Sequence, residues 1–91
     1  MSYRFRAARS FWRNWSRLSA TQQEAARQAF SIFHKDPFDP RLRPHRIHRL
    51  SAYYRQTIYA VEILGDLRAA FYVEGETVWT VDIGTHDIYK G

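Results

Sequence analysis

Apolar and polar positions alternate in five stretches of the chain and recur at helical spacing in two others. Tyr3, Phe5 and Ala7 alternate with Arg4, Arg6 and Ala8, so residues 2–8 are expected to form a first strand with its arginines outward. Phe11, Trp12, Trp15 and Leu18 then fall at helical spacing behind Ser10, a residue suited to capping, which predicts a short helix with an aromatic core face. Thr21-Gln22-Gln23-Glu24 has the form of a capping box and opens a second helix carrying Ala25, Ala26, Ala29, Phe30 and Phe33 to about His34. Asp36-Pro37-Phe38-Asp39-Pro40 ends it, because proline excludes the helical conformation from the residue before it and has no backbone N–H.

Thr57 to Leu64 alternates again, with Tyr59, Val61 and Ile63 on one face and Ala60 and Glu62 on the other. Gly65-Asp66 makes a turn, and the chain returns with Leu67, Ala69, Phe71 and Val73 inward and Arg68, Ala70 and Tyr72 outward. After Glu74-Gly75-Glu76, a last strand from Thr77 to Ile83 is expected to place Trp79, Val81 and Ile83 on the same core face. The expected fold is α+β. An N-terminal strand and two antiparallel helices precede a three-stranded antiparallel meander, and the helices pack on one face of the sheet. Ser51 to Gln56 is expected as a polar connector with exposed Tyr53 and Tyr54. Within the preceding segment, His45 to Leu50 alternates as a short or edge strand would.

Composition narrows the class. The 91 residues, 45% hydrophobic and 16% aromatic, suit one domain over 1–91 with a modest core. With no cysteine there is neither a disulfide framework nor a thiolate metal site. No apolar stretch approaches the roughly 18 residues of a membrane span, and the N-terminus lacks the apolar run of a signal peptide, so a soluble cytoplasmic protein without membrane contact is expected.

Charge is distributed unevenly. The formal net charge is +5, but residues 1–55 hold twelve Lys/Arg against three acids while residues 56–91 hold two against six. Twelve of the fourteen cations are arginine, whose planar fork suits phosphate, and a polyanion partner is expected. The densest segment runs from Arg41 to Arg49, where Arg41, Arg43, Arg46 and Arg49 interleave with His45 and His48. It reads either as a phosphate-contacting ledge or as a solvated connector. Two imidazoles among arginines make a poor cation site.

Glu62 and Arg68 share the outward face of adjacent strands, Asp66 occupies the turn joining them, and His86, Asp87, Tyr89 and Lys90 follow the last strand. A carboxylate, a guanidinium, an imidazole and a phenol together provide a base, an acid and a cation, the groups needed when a ribose 2′-hydroxyl attacks a phosphodiester. Histidine suits such work because its unperturbed pKa is about 6.5. Each group also has a plain structural use: Arg68 can pair with Glu62, Asp66 can make the turn, and His86 can satisfy a loop carbonyl.

The element order, together with the segments Asp36 to Ile47, Gly65 to Phe71 and Ile83 to Lys90, resembles the RelE/ParE superfamily of toxins from bacterial toxin–antitoxin modules. The resemblance implies a ribosome-dependent endoribonuclease that cuts messenger RNA and leaves a 2′,3′-cyclic phosphate or 3′-phosphate end, with no metal or other cofactor. Arg68 matches the arginine that contacts the scissile phosphate. His86 matches the histidine of the YafQ-like branch, and Asp66 falls near that branch's catalytic aspartate. Tyr89 or Lys90 would touch base or phosphate. RelE itself carries lysines where this chain has Ala60 and Glu62, so a lysine-based mechanism does not carry over, and Glu62 becomes a candidate base or a partner for His86. Two alternatives stand beside this reading: a ParE-like inhibitor of DNA gyrase, and an inactive member that binds nucleic acid or antitoxin. The implied partners are the ribosome, messenger RNA and a cognate antitoxin that is acidic and partly disordered when free.

Overall fold

The structure, a computed structural model, describes residues 2–85. The expectations for His86, Asp87, Tyr89 and Lys90 therefore lie outside the described residues. The elements follow as β1 (Arg4–Ala7), α1 (Arg9–Trp15), α2 (Ala20–Phe33), a 3₁₀ turn (Pro40–Leu42), β2 (His45–Arg46), α3 (His48–Tyr54), β3 (Tyr59–Leu64), β4 (Leu67–Glu74) and β5 (Thr77–Gly84). They build one five-stranded sheet in the order β1-β5-β4-β3-β2. The expected α+β class and the β3–β4–β5 meander are present. The sheet is mixed, because β1 pairs in parallel with β5, Arg4 opposite Thr77 through Ala7 opposite Thr80.

The main core lies between the sheet and the helix pair. Phe33 of α2 meets Phe71 of the central strand edge-on at 4.9 Å between ring centroids, and Phe5 of β1 lies 5.6 Å from Phe33. Ala26 is fully buried on α2, where a methyl side chain leaves room for the close neighbours around it. Burying a ring as fully as Phe71 stabilises the fold by about 1.5–3 kcal/mol. The aromatic face expected of α1 is packed at Phe11, Trp15 and Leu18, but Trp12 remains 57% exposed.

Two cap assignments differ from the sequence expectation. The box that opens α2 is formed by Ser19 and Gln22, not Thr21 and Glu24: Ser19 Oγ accepts from the Gln22 N–H at 3.1 Å, and Gln22 Oε1 accepts from the Ser19 N–H at 2.9 Å. Ser10 does not cap α1. Ala8 precedes that helix, and the Ser10 hydroxyl instead donates to the carbonyl of Val81, tying α1 to β5.

The other corrections concern the second face of the sheet. Trp79 and Val81 do not join the main core. The turn at Gly75-Glu76 sets Glu74 opposite Thr77 and carries the pairing as far as Phe71 opposite Thr80, but Ala70 lies opposite Asp82. Val81 is thus an extra residue, a β-bulge that reverses the alternation. Val78 and Ile83 face the helix pair, while Trp79 and Val81 face the other way. That other face carries its own apolar cluster of Ile47, Leu50, Ile58, Ala60, Ala70 and Val81.

The segment expected to be a polar connector supplies the cover for this second cluster. Residues His48–Tyr54 form α3, and Ile47, Leu50 and Tyr54 are spaced as one face of a helix. Helices therefore cover both faces of the sheet, not one. Of the expected short strand from His45 to Leu50, just His45–Arg46 pairs with β3, at the sheet edge. Ser51 secures the helix on both sides, donating from Oγ to the Ile47 carbonyl and accepting from the Ile58 N–H, each at 2.8 Å. Arg55 closes it in the left-handed conformation at φ 56°.

Candidate functional site

The expected pair Glu62 and Arg68 does meet. The two-residue turn Gly65-Asp66, with Gly65 at φ +54°, sets Leu64 opposite Leu67. A second irregularity at Ile63 then shifts the pairing so that Glu62 lies directly across from Arg68. Directly paired residues share a face, so both side chains stand on the second face of the sheet. Arg68 Nη2 lies 3.9 Å from Glu62 Oε1, with 19% and 34% of the respective side chains exposed. Arg68 Nη1 also donates to the carbonyls of Gly65 at 2.7 Å and Leu67 at 3.3 Å. The guanidinium is thus held by the hairpin that carries it, half-buried and at the start of the central strand. Asp66 is exposed in the turn between the two partners.

The same face carries groups that the sequence reading did not single out. Asp82, paired with Ala70, accepts through Oδ1 from the Asn14 side-chain amide at 2.5 Å and from the Ile83 N–H at 2.8 Å. Tyr54 of α3 and Tyr72 of β4 pack on the second apolar cluster. Burial, and then the charge of Asp82 with smaller effects from Tyr53 and Tyr72, pushes the Tyr54 hydroxyl above the usual phenol range, so it remains a protonated donor at neutral pH. The expected exposure of Tyr53 holds at 76%, whereas Tyr54 is half-buried. The Ile47–Leu50–Tyr54 spacing was the available signal for α3 and hence for Tyr54. Alternation already set Asp82 on the face opposite Ile83, but nothing in the sequence distinguished it from an ordinary outward residue.

The arginine segment is divided by the fold. Arg41 is engaged by Asp39, whose Oδ2 accepts from Nη2 at 2.9 Å and whose Oδ1 accepts from Nε at 3.1 Å and from the Arg41 N–H at 2.9 Å. Those bonds hold the Asp39 carboxyl below the usual carboxylate range, so the Arg41 charge is largely offset. Arg43, His45, Arg46, His48 and Arg49 are exposed. His45 pairs with Ala60 and so shares the face of Glu62 and Arg68, and its Nδ1 lies 3.0 Å from the Arg43 carbonyl oxygen. Arg46 pairs with Tyr59 and belongs to the helix-pair side of the edge. His48 and Arg49 sit in the first turn of α3. Among the described residues no group of three or more His, Cys, Asp or Glu side chains is placed to hold a metal ion, and no helix is long and apolar enough to cross a membrane.

A mixed five-stranded sheet in this order with a helix pair on one face is a RelE-like fold. Two solved structures share it. One is an archaeal RelE–RelB complex from Pyrococcus horikoshii, with a TM-score of 0.70 and 12% identity, covering 93% of this chain and 96% of that one. The other is a copper-bound point mutant of a toxin from Helicobacter pylori, with a TM-score of 0.70 and 15% identity, covering 94% of this chain and 97% of that one. At these identities the likeness concerns the fold. No family model matches the chain, and no curated protein sequence does.

Proposed function

We propose that the chain is the toxin of a type II toxin–antitoxin module and acts as a ribosome-dependent messenger-RNA endoribonuclease. The observation that carries this reading is the Arg68–Glu62 pair, set on one sheet face with Asp82, Tyr54 and His45 in a RelE-like fold. A proton leaves the ribose 2′-hydroxyl for a base as its oxygen attacks the phosphorus. The P–O5′ bond breaks, and an acid protonates the departing oxygen, leaving a 2′,3′-cyclic phosphate and a 5′-hydroxyl. The Arg68 fork stabilises the charge that develops on the non-bridging oxygens. Glu62 is a candidate base. His86 is the acid or base that the resemblance assigns, with Asp66 beside the reacting groups and Tyr89 as a contact to the substrate. Arg43, His45, His48 and Arg49 supply phosphate contacts, Arg46 does so from the other side of the sheet edge, Lys90 is the contact that the resemblance assigns, and Arg41 contributes less because Asp39 engages it. An antitoxin partner is supported by the RelE–RelB complex that shares the fold.

The test is induced expression of wild type, Arg68→Ala and His86→Ala, with growth followed and message 5′ ends mapped in the arrested cells. Arrest with codon-phased cuts, lost in both variants, is expected. Arrest with intact messages and signs of DNA damage would move the reading to gyrase, and no arrest would leave a binding module.

A further inference from the structure

The second face of the sheet holds a carboxylate to which the cleavage steps above assign no task. Asp82 pairs with Ala70, and two residues on, Gly84 pairs with Arg68. Asp82 and Arg68 are therefore diagonal neighbours on one face, a relation that sets residues about 7–8 Å apart. Gly84 has no side chain to place between them. The Arg68 guanidinium leans towards the turn, on the Gly65 carbonyl at 2.7 Å, which widens the gap towards the span from a nucleotide's phosphate to the edge of its base. Asp82 is half-buried, and its Oδ1 accepts from the Asn14 side-chain amide at 2.5 Å and from the Ile83 N–H at 2.8 Å. Those bonds tie α1 to β5, but the amide oxygen of an asparagine at this position would accept both. The tie does not need a carboxylate. The second oxygen, Oδ2, has no hydrogen-bond partner among the described residues, and none of their ion pairs includes Asp82. A half-buried charge without a cation costs desolvation, and here it leaves an open acceptor on the face where Arg68 stands.

We propose that Asp82 reads the base of the nucleotide whose phosphate Arg68 holds. Its Oδ2 accepts a hydrogen bond from the exocyclic amino group of cytosine or adenine and disfavours uracil. A carboxylate is a fitting acceptor for the cytosine amino group. Uracil puts a carbonyl oxygen where cytosine has that group, and two acceptors facing each other repel and leave the desolvated carboxylate without a donor. The ring N–H of uracil lies between two carbonyl oxygens, both of which the carboxylate also repels. Phosphate contacts position a strand and base contacts specify it, so Arg68 and Asp82 divide the two tasks between neighbouring strands of the sheet. The inference rests on the nuclease reading for calling the bound strand a message, while the preference between bases follows from the face itself.

Fluorescence anisotropy of labelled oligocytidylate and oligouridylate of equal length, titrated with the intact chain at one fixed salt concentration, tests it. Wild type should bind the cytosine strand about tenfold more tightly, as one hydrogen bond to a charged group implies. Asp82→Asn keeps an acceptor for Asn14 and Ile83 and puts an amide N–H where Oδ2 stood, a donor suited to the uracil carbonyl, so the preference should vanish or invert. An oligomer of the cytidine analogue that lacks the amino group should bind wild type no better than oligouridylate, which probes the contact without altering the protein. Arg68→Gln should weaken both strands alike. Equal binding of the two strands by wild type, or a preference unchanged in Asp82→Asn, would overturn the proposal. So would an equal loss for both strands in that variant, which would make Asp82 a structural tie and no more. Message 5′ ends from cells expressing wild type and Asp82→Asn give a second readout: one fixed position beside the cut should show a bias against uracil that the variant loses. Cells without cuts would refute the nuclease reading and leave the base preference to the titration, so the two fail separately.

Discussion

Replacing Arg68 with lysine keeps a positive charge on the central strand and removes the fork, and the structure indicates how differently folding and cleavage should respond. Nη1 donates to the Gly65 carbonyl at 2.7 Å, and Nη2 stands 3.9 Å from Glu62 Oε1. The carbonyl bond contributes about 1 kcal/mol net. An ion pair this long, between partly exposed side chains, contributes no more than about 1 kcal/mol. Lysine forfeits the first and keeps part of the second, so folding should lose about 1 kcal/mol, or roughly 4–8 °C in Tm for a chain of this size. Catalysis should fall much further. A lysine is a point charge that cannot reproduce two parallel bonds to a phosphate, and losing one transition-state donor costs about 10²–10³ in rate. The assay is cleavage of a defined message on programmed ribosomes by wild type and R68K, with thermal unfolding of both followed by circular dichroism. Cleavage by R68K within about threefold of wild type would refute the clamp. So would a loss that merely tracks the unfolded fraction, which would make Arg68 a structural residue of the hairpin.

The remaining predictions concern the fold. Ser19→Ala should destabilise the protein by about 1 kcal/mol through loss of the α2 cap, whereas Thr21→Ala, just inside the helix, should change it little; chemical denaturation of both variants distinguishes the observed box from the one expected at Thr21 and Glu24. His34 packs against Phe5 at 4.7 Å between ring centroids, and burial lowers its pKa below the usual 6.5. The unfolded chain therefore takes up a proton more readily than the folded one between the depressed value and about 6.5, so stability is full above that window and falls as pH drops through it. Tm measured across pH 7.5 to 5 should fall less steeply in His34→Gln than in wild type, and parallel curves would show that other groups dominate.

How far the candidate site was legible depends on how local its determinants are. Glu62 and Arg68 could be placed together because alternation put both opposite the core in neighbouring strands. Yet the Gly65-Asp66 turn alone would have set Glu62 across from Ala69, and the irregularity at Ile63 restores the pairing that the pattern demands. There, burying one face of each strand outweighed the register of the turn. At Val81 the outcome was the reverse. Strict alternation predicted one core face for Trp79, Val81 and Ile83, but the bulge divides them: Ile83 stays on the helix-pair face with Asp82 opposite it, while Trp79 and Val81 turn to the second face.

The sequence by itself determined the N-terminal strand, the helix pair, the hairpins of the meander and the position of Arg68, because each follows from contacts close along the chain: periodicity, prolines and two-residue turns. Tertiary structure decided the rest. The parallel docking of β1 on β5, the packing of α3 beneath the second face and the joining of Asn14 to Asp82 all connect residues far apart in sequence. The segment that became α3 reads as polar when taken alone, since four of its seven residues, His48, Arg49, Ala52 and Tyr53, face solvent. Its apolar positions gain meaning from the sheet they cover. That same packing brings Tyr54 to the face that Arg68 occupies, where burial holds its proton.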